Sequence, residues 1–140
     1  MVADLPWDDW LALVNSEKVS RMVHTCGGDW AQYIKAAVLR LQKKFRTDKL
    51  RGMDLVVSGN IPIAAGLSSS STLVVGTAEA AVTVNGLDTF PAQLVDLCGE
   101  GEWFVGTRGG AADHAAVKFG QKGKVVKVTF FDFDVLDIVP

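Results

Sequence analysis

The stretch that most constrains this 140-residue chain is Gly59-Asn60-Ile61-Pro62-Ile63-Ala64-Ala65-Gly66-Leu67-Ser68-Ser69-Ser70-Ser71-Thr72. A run from Met53 to Ser58 leads in and reads as a strand, and a helix-compatible run from Thr72 to Val84 leads out. Between them lie a proline, small residues, a glycine and four consecutive serines. That is the composition of a tight loop feeding the first turn of a helix. Such a helix start offers unpaired backbone N–H groups and the positive end of the helix dipole to whatever sits in the loop. Serine hydroxyls add donors and oxygen ligands for a metal. The group best served is a phosphate, such as that of a nucleotide carried with Mg²⁺. The plainer alternative is a serine N-cap on a buried helix. A cap needs one serine, and here four follow a glycine.

Pro62-Ile63-Ala64-Ala65-Gly66-Leu67-Ser68-Ser69-Ser70-Ser71 resembles the phosphate-binding motif of the GHMP kinases, the family of galactokinase, homoserine kinase, mevalonate kinase and phosphomevalonate kinase. That pattern is roughly P-x-x-x-G-L-(G/S)-S-S-A. Ser71 stands where alanine is usual, and Ser-Ser-Ser rather than Gly-Ser-Ser leans to the galactokinase branch.

The length suits one domain, and such a domain buries about two-thirds of its unfolded surface. A hydrophobic content of 49% fits a globular chain. A formal charge of −2 gives no electrostatic reason for a nucleic-acid or membrane-surface partner. Leu55 to Ala78 is uncharged, but Asn60, Pro62 and four serines argue against a membrane span. Cys26 and Cys98 form no C-x-x-C pair and join no His/Cys cluster of zinc spacing, so reduced, buried thiols in a cytoplasmic protein are expected. Met1 to Asp9 is acidic and lacks the apolar core of a signal peptide.

Taken in order, Leu5 to Val14 reads as a short helix with Trp7, Trp10, Leu11 and Val14 on one face. Asn15 to Gly28 reads as a turn of helix or an irregular segment ending at the double glycine, with His24 a loop histidine rather than a ligand. Asp29 to Phe45 is a helix. Asp29 caps it or sits in its first turn, and Trp30, Tyr33, Ile34, Ala37, Val38, Leu41 and Phe45 form its apolar face. Lys43-Lys44 is its solvated end. Thr47 to Gly52 is a polar connection. Met53 to Ser58 alternates little, which predicts a strand covered on both faces. Ser69 to Asn85 is apolar almost all round, with Glu79 its one charge, so it is expected to be a largely buried helix stopped by Asn85-Gly86.

Leu87 to Pro91 starts the next helix, with Thr89 as cap and Pro91 in the first turn. It runs to about Phe104, with Leu94, Val95, Leu97, Cys98 and Trp103 inward and Glu100 and Glu102 expected in solvent. Gly106-Thr107-Arg108-Gly109-Gly110-Ala111-Ala112-Asp113-His114 is a glycine-rich loop entering a helix from Ala111 to Phe119. Asp113 falls in its first turn. Its bland role is to complement the helix dipole, about 0.3–1 kcal/mol; its sharper role is a catalytic carboxylate beside a close backbone approach. Gly120 to Gly123 turns into a strand from Lys124 to Phe131, and Val135 to Val139 forms a last strand.

The resemblance runs from about Asp29 to Pro140. Asp29-Trp30-Ala31-Gln32-Tyr33-Ile34 is similar to the W-x-N-Y-V/I helix of galactokinases, and Gly106 to Gly123 to their G-T-x-x-G-x-M-D-Q segment, helix and G-Q-x-G turn. It implies an α+β fold like ribosomal protein S5 domain 2, with a β-sheet packed on helices. It implies ATP-dependent phosphorylation of a sugar at its anomeric hydroxyl. On that resemblance Gly66, Leu67, Ser68, Ser69, Ser70 and Ser71 wrap the β- and γ-phosphates, and Ser70 meets Mg²⁺. Trp30 and Tyr33 line the adenine side, Gly110 lets the backbone approach the sugar, and Asp113 acts on the sugar hydroxyl. Phosphoryl transfer is mostly positioning and charge stabilisation, which suits these residue types.

The departures are as specific. Nothing in residues 1–28 resembles the family's R-x-N-L-x-G-E-H-T-D-Y motif, and the later glycine-rich motif and second domain have no counterpart. His114 replaces glutamine, Ala112 replaces methionine, and Val74 stands where galactokinases often have glutamate. Residues 1–140 are therefore expected to form a single, partial N-terminal domain, with little or no kinase activity alone. Exposed apolar surface where absent parts would dock favours self-association. The alternatives are a family member with another acceptor and a non-catalytic, ligand-binding relative.

Overall fold

The computed structural model describes residues 6–45, 49–129 and 133–140. Its elements in order are α1 (Trp10–Val14), α2 (Glu17–Thr25), α3 (Ala31–Lys44), α4 (Ser69–Asn85), α5 (Pro91–Glu102), a 3-10 turn (Trp103–Val105), α6 (Ala112–Phe119), β1 (Val125–Thr129) and β2 (Asp134–Val139). The chain is thus α+β: packed helices followed by a two-stranded antiparallel sheet.

Helix α3 sits between two cores because it is apolar on more than one side. Its Ala37 and Leu41 join Val74, Val75, Ala78 and Ala81 of α4 and Leu94, Leu97 and Cys98 of α5. Its Ala36 joins Trp10, Leu13 and Val14 of α1, Val19 of α2 and Phe104. Close approach of α5 depends on two glycines. A Cβ at Gly101 would stand 3.4 Å from the Ala36 carbonyl oxygen of α3, and one at Gly99 would stand 3.1 Å from the Ala111 Cβ. Leu94, Val95, Leu97 and Cys98 are buried as the spacing predicts, and Pro91 opens α5 at its first position.

The N-terminal segment is more helical than its composition suggests. Asn15 to Gly28 is not irregular: Ser16 caps α2, its hydroxyl accepting from the Val19 N–H at 3.3 Å. The first helix is shorter than Leu5–Val14. It begins at Trp10 because Asp9 is its N-cap, accepting from the Ala12 N–H at 3.0 Å, and Trp7 lies in the preceding turn. Leu5 itself lies outside the described residues. Trp10 ties α1 down by donating from Nε1 to the Glu100 carbonyl oxygen at 2.8 Å, with the Arg40 guanidinium 5.5 Å above its ring.

Met53 to Ser58 is not a strand. Residues 51–60 carry no ladder, and Val56 is 99% exposed. A strand exists only with a partner to accept its hydrogen bonds, and among the described residues the one sheet pairs β1 with β2. Apolar composition alone therefore left this run unpaired. In the β1–β2 hairpin, Val126 faces Ile138 and Val128 faces Val135, with a register shift between Lys127 and Val128. That bulge absorbs the extra β2 residue and keeps the half-buried pairs on one face. Phe130 and Phe131, assigned to this strand from sequence, and Thr47 of the polar connection lie outside the described residues.

Smaller departures have local causes. Thr89 does not cap α5; its hydroxyl bonds the Gln93 Oε1 at 2.9 Å instead. Trp30 precedes α3 and is 57% exposed rather than on its apolar face. Asp29 does hold the helix start, accepting from the Ala31 N–H at 2.9 Å.

Candidate active site

The serine loop enters α4 without a serine cap. Ser68 occupies the cap position with a φ of 53° and makes no side-chain capping bond. Ala64 and Gly66 also have positive φ, 58° and 71°. A non-glycine residue in this region costs about 1–3 kcal/mol, and such strain concentrates at functional sites. Residues 61–67 are exposed and Ser68, Ser69 and Ser70 half-buried, so the loop is open to solvent at the α4 N-terminus. No acidic residue lies in the first turn of α4 to oppose an anion there.

Ser71 is buried, and its partner is a residue whose sequence pattern suggested a solvated side chain. Glu102 is not solvated. It is 5% exposed, at the end of α5, and its Oε1 accepts from the Ser71 Oγ at 3.2 Å. Its Oε2 lies 3.7 Å from Nε2 of His114, which is also buried. The signal was in the spacing: Leu94, Cys98 and Glu102 recur every four residues, placing a carboxylate on the apolar stripe of α5. Glu100 is not free in solvent either; it accepts from Arg40 Nε at 2.7 Å.

The cluster joins three elements: Ser71 belongs to the first turn of α4, Glu102 ends α5, and His114 belongs to the first turn of α6. Asp113, next in sequence to His114, is exposed in that same turn. One buried carboxylate is therefore hydrogen-bonded to the start of the serine-loop helix and lies beside the start of the helix that carries Asp113. Helices α4 and α6 also pack directly and share a Lys118–Glu79 ion pair.

Thr107 to Gly110 form an exposed loop before α6. Gly110 lines an open cleft of about 200 Å³ with Asp96, Glu100 and Trp103 among its other walls. The Asp96 carboxyl is held above the usual range by desolvation and then by the neighbouring Glu100 charge. Of the aromatic pair, Tyr33 is half-buried against the α3–α4–α5 core while Trp30 is exposed, so the two do not share one environment. A larger hollow, about 520 Å³ and lined by Lys49, Arg51, Asn85 and Asp88, lies at the opposite end of α4, about 25 Å along the helix from the serine loop. Cys26 and Cys98 are free thiols; Cys98 is buried and Cys26 only half-buried. No described helix is long and apolar enough to cross a membrane.

The fold places a strained serine loop at one helix start and an exposed aspartate at another, both beside one buried carboxylate. The GHMP kinases N terminal domain matches residues 32–121, and the chain belongs to the GHMP kinase family. Its relatives include galactokinases. That of Candida parapsilosis is 32% identical over 125 residues, covering 86% of this chain and 24% of that protein. That of Thermotoga maritima is 33% identical over 114 residues, covering 81% and 31%. That of Thermosipho africanus is 36% identical over 109 residues, covering 77% and 30%. The chain thus spans about a quarter to a third of the length of these curated relatives. No solved structure matches it.

Proposed function

We propose that residues 1–140 are part of the N-terminal, nucleotide-binding domain of an ATP-dependent sugar kinase of galactokinase type, acting on the anomeric hydroxyl. The complete domain would have the fold of ribosomal protein S5 domain 2. The observation that carries this reading is the serine loop at the N-terminus of α4, where Ala64 and Ser68 are held at positive φ and no acidic residue stands in the first turn.

In this reading, backbone N–H groups and hydroxyls from Gly66 to Ser71 hold the β- and γ-phosphates at the α4 N-terminus, where the dipole favours negative charge. Asp113, exposed in the first turn of α6, accepts the proton of the sugar hydroxyl or orients it. Gly110 lets the sugar approach the loop backbone, and Trp30 and Tyr33 border the adenine. The metal fits the donors nearby. Among the described residues no group of three or more His, Cys, Asp or Glu could hold a metal ion. Mg²⁺ is ordinarily bound by one or two carboxylates together with substrate phosphates and water. Glu102, whose buried carboxylate meets one hydroxyl, and Ser70 at the head of α4 are the oxygen donors that would hold it. When bound, Mg²⁺ neutralises charge on the phosphate oxygens.

The test is thermal unfolding with and without Mg²⁺–ATP. Saturation at about 100 times Kd adds roughly 2.7 kcal/mol. A rise in Tm that Ser70→Ala abolishes is the expected result. No rise at saturating Mg²⁺–ATP overturns nucleotide binding by these residues. Acceptor screening of an active, longer chain identifies the sugar.

A further inference from the structure

Ser71 and His114 are two of the positions where this chain departs from the GHMP kinase pattern, standing in place of alanine and glutamine. Far apart in sequence, they converge on one carboxylate. The Ser71 hydroxyl donates to Oε1 of Glu102 at 3.2 Å, and His114 Nε2 approaches Oε2 at 3.7 Å. All three side chains are buried, Ser71 and His114 at 2% exposure each. Neither ring nitrogen of His114 has a hydrogen-bond partner among the described residues. Lys118, the lysine of α6, is committed to Glu79. Buried polar groups are ordinarily satisfied, so an unpartnered imidazole facing a carboxylate that holds one hydroxyl donor is a site with unused bonding capacity.

We propose that Ser71 and His114 form a two-sided clamp on Glu102, as positioning residues that set the orientation in which its carboxylate meets Mg²⁺ at the head of α4. The inference rests on the kinase reading above. Ser71 supplies a donor to one carboxylate oxygen, and His114 places an unpartnered ring nitrogen beside the other. The 3.7 Å gap to His114 exceeds a direct hydrogen bond, ~2.7–3.2 Å, by about half an ångström or more. Groups that orient a metal ligand in this way typically account for about 10–100-fold in metal affinity.

The experiment is calorimetric titration of ATP with and without Mg²⁺ into the unmodified chain, Ser71→Ala, His114→Ala and His114→Gln. The expected result is that His114→Ala cuts the Mg²⁺-dependent gain in ATP affinity by about tenfold or more, with metal-free ATP affinity unchanged. His114→Gln, whose amide can donate to Glu102, restores most of the gain. Ser71→Ala also lowers it. A full Mg²⁺-dependent gain in His114→Ala overturns the clamp and leaves the kinase reading standing. A Mg²⁺-independent affinity in the unmodified chain overturns both the clamp and the metal assignment, and no ATP binding at all overturns the kinase reading. Should His114→Ala fail to fold, ¹⁵N spectra of the His114 ring in the unmodified chain decide the matter. The resonances should shift with Mg²⁺–ATP and not with ATP in chelator; unshifted resonances overturn the clamp.

Discussion

The Ser71 hydroxyl reaches 3.2 Å to Oε1 of Glu102 and so links the first turn of α4 to the last residue of α5 inside the molecule. Removing that donor leaves a buried carboxylate with less compensation. A lost partner at such a site costs about 1–3 kcal/mol. Ser71→Ala should lower stability by that amount in denaturant unfolding, with an unchanged m value if the fold is intact.

Asp113 is exposed and outside both apolar cores. Asp113→Asn should therefore lower stability by no more than about 1 kcal/mol, the contribution of its charge at the helix start. In a longer chain active on a sugar, it should lower kcat by about 10²–10⁴-fold while Mg²⁺–ATP affinity is kept. Retained turnover in that variant would remove Asp113 from the chemistry.

The two thiols should differ in reactivity. Burial, and then the charges of Glu79 and Glu102, push the Cys98 thiol up to about 12, with Lys118 opposing weakly. The thiolate is the reactive form, so at pH 8 the folded chain should titrate rapidly through half-buried Cys26 alone. Denaturant should release the second thiol. Two fast thiols in the native chain would contradict the buried placement of Cys98.

Asp96 carries a pH dependence of definite sign. Its carboxyl is raised in the folded state by desolvation and by Glu100. Between the unfolded and folded values the native state holds more protons than the unfolded chain, so stability falls as pH rises through that window. Asp96→Asn should therefore raise Tm at pH 7 relative to the unmodified chain. The difference should vanish once the pH is below the ordinary aspartate range. Melting curves from pH 3 to 8 check both the sign and the window.

Much of this could be read from local pattern. The α4 helix over Ser69–Asn85, its Gly86 stop in the left-handed region, and the inward residues of α5 follow from apolar spacing and glycine chemistry, which act over a few residues. Capping by Asp9 and Ser16 is equally local, yet the polar residues around α2 masked a nine-residue helix. Met53 to Ser58 marks the other limit. Its apolar composition suits a strand, but pairing requires a distant partner, and Val56 remains 99% exposed.

By itself the sequence determined helices α3 to α6, the serine loop, the position of Asp113 in a first turn, and membership of the GHMP kinase family through motifs whose spacing is chemical. Tertiary structure alone decided what Glu102 is. A carboxylate on the apolar stripe of α5 is either solvated or buried according to what packs over it. Only the meeting of α4, α5 and α6 brings Ser71 and His114 to its two oxygens, because that contact joins residues the chain keeps far apart.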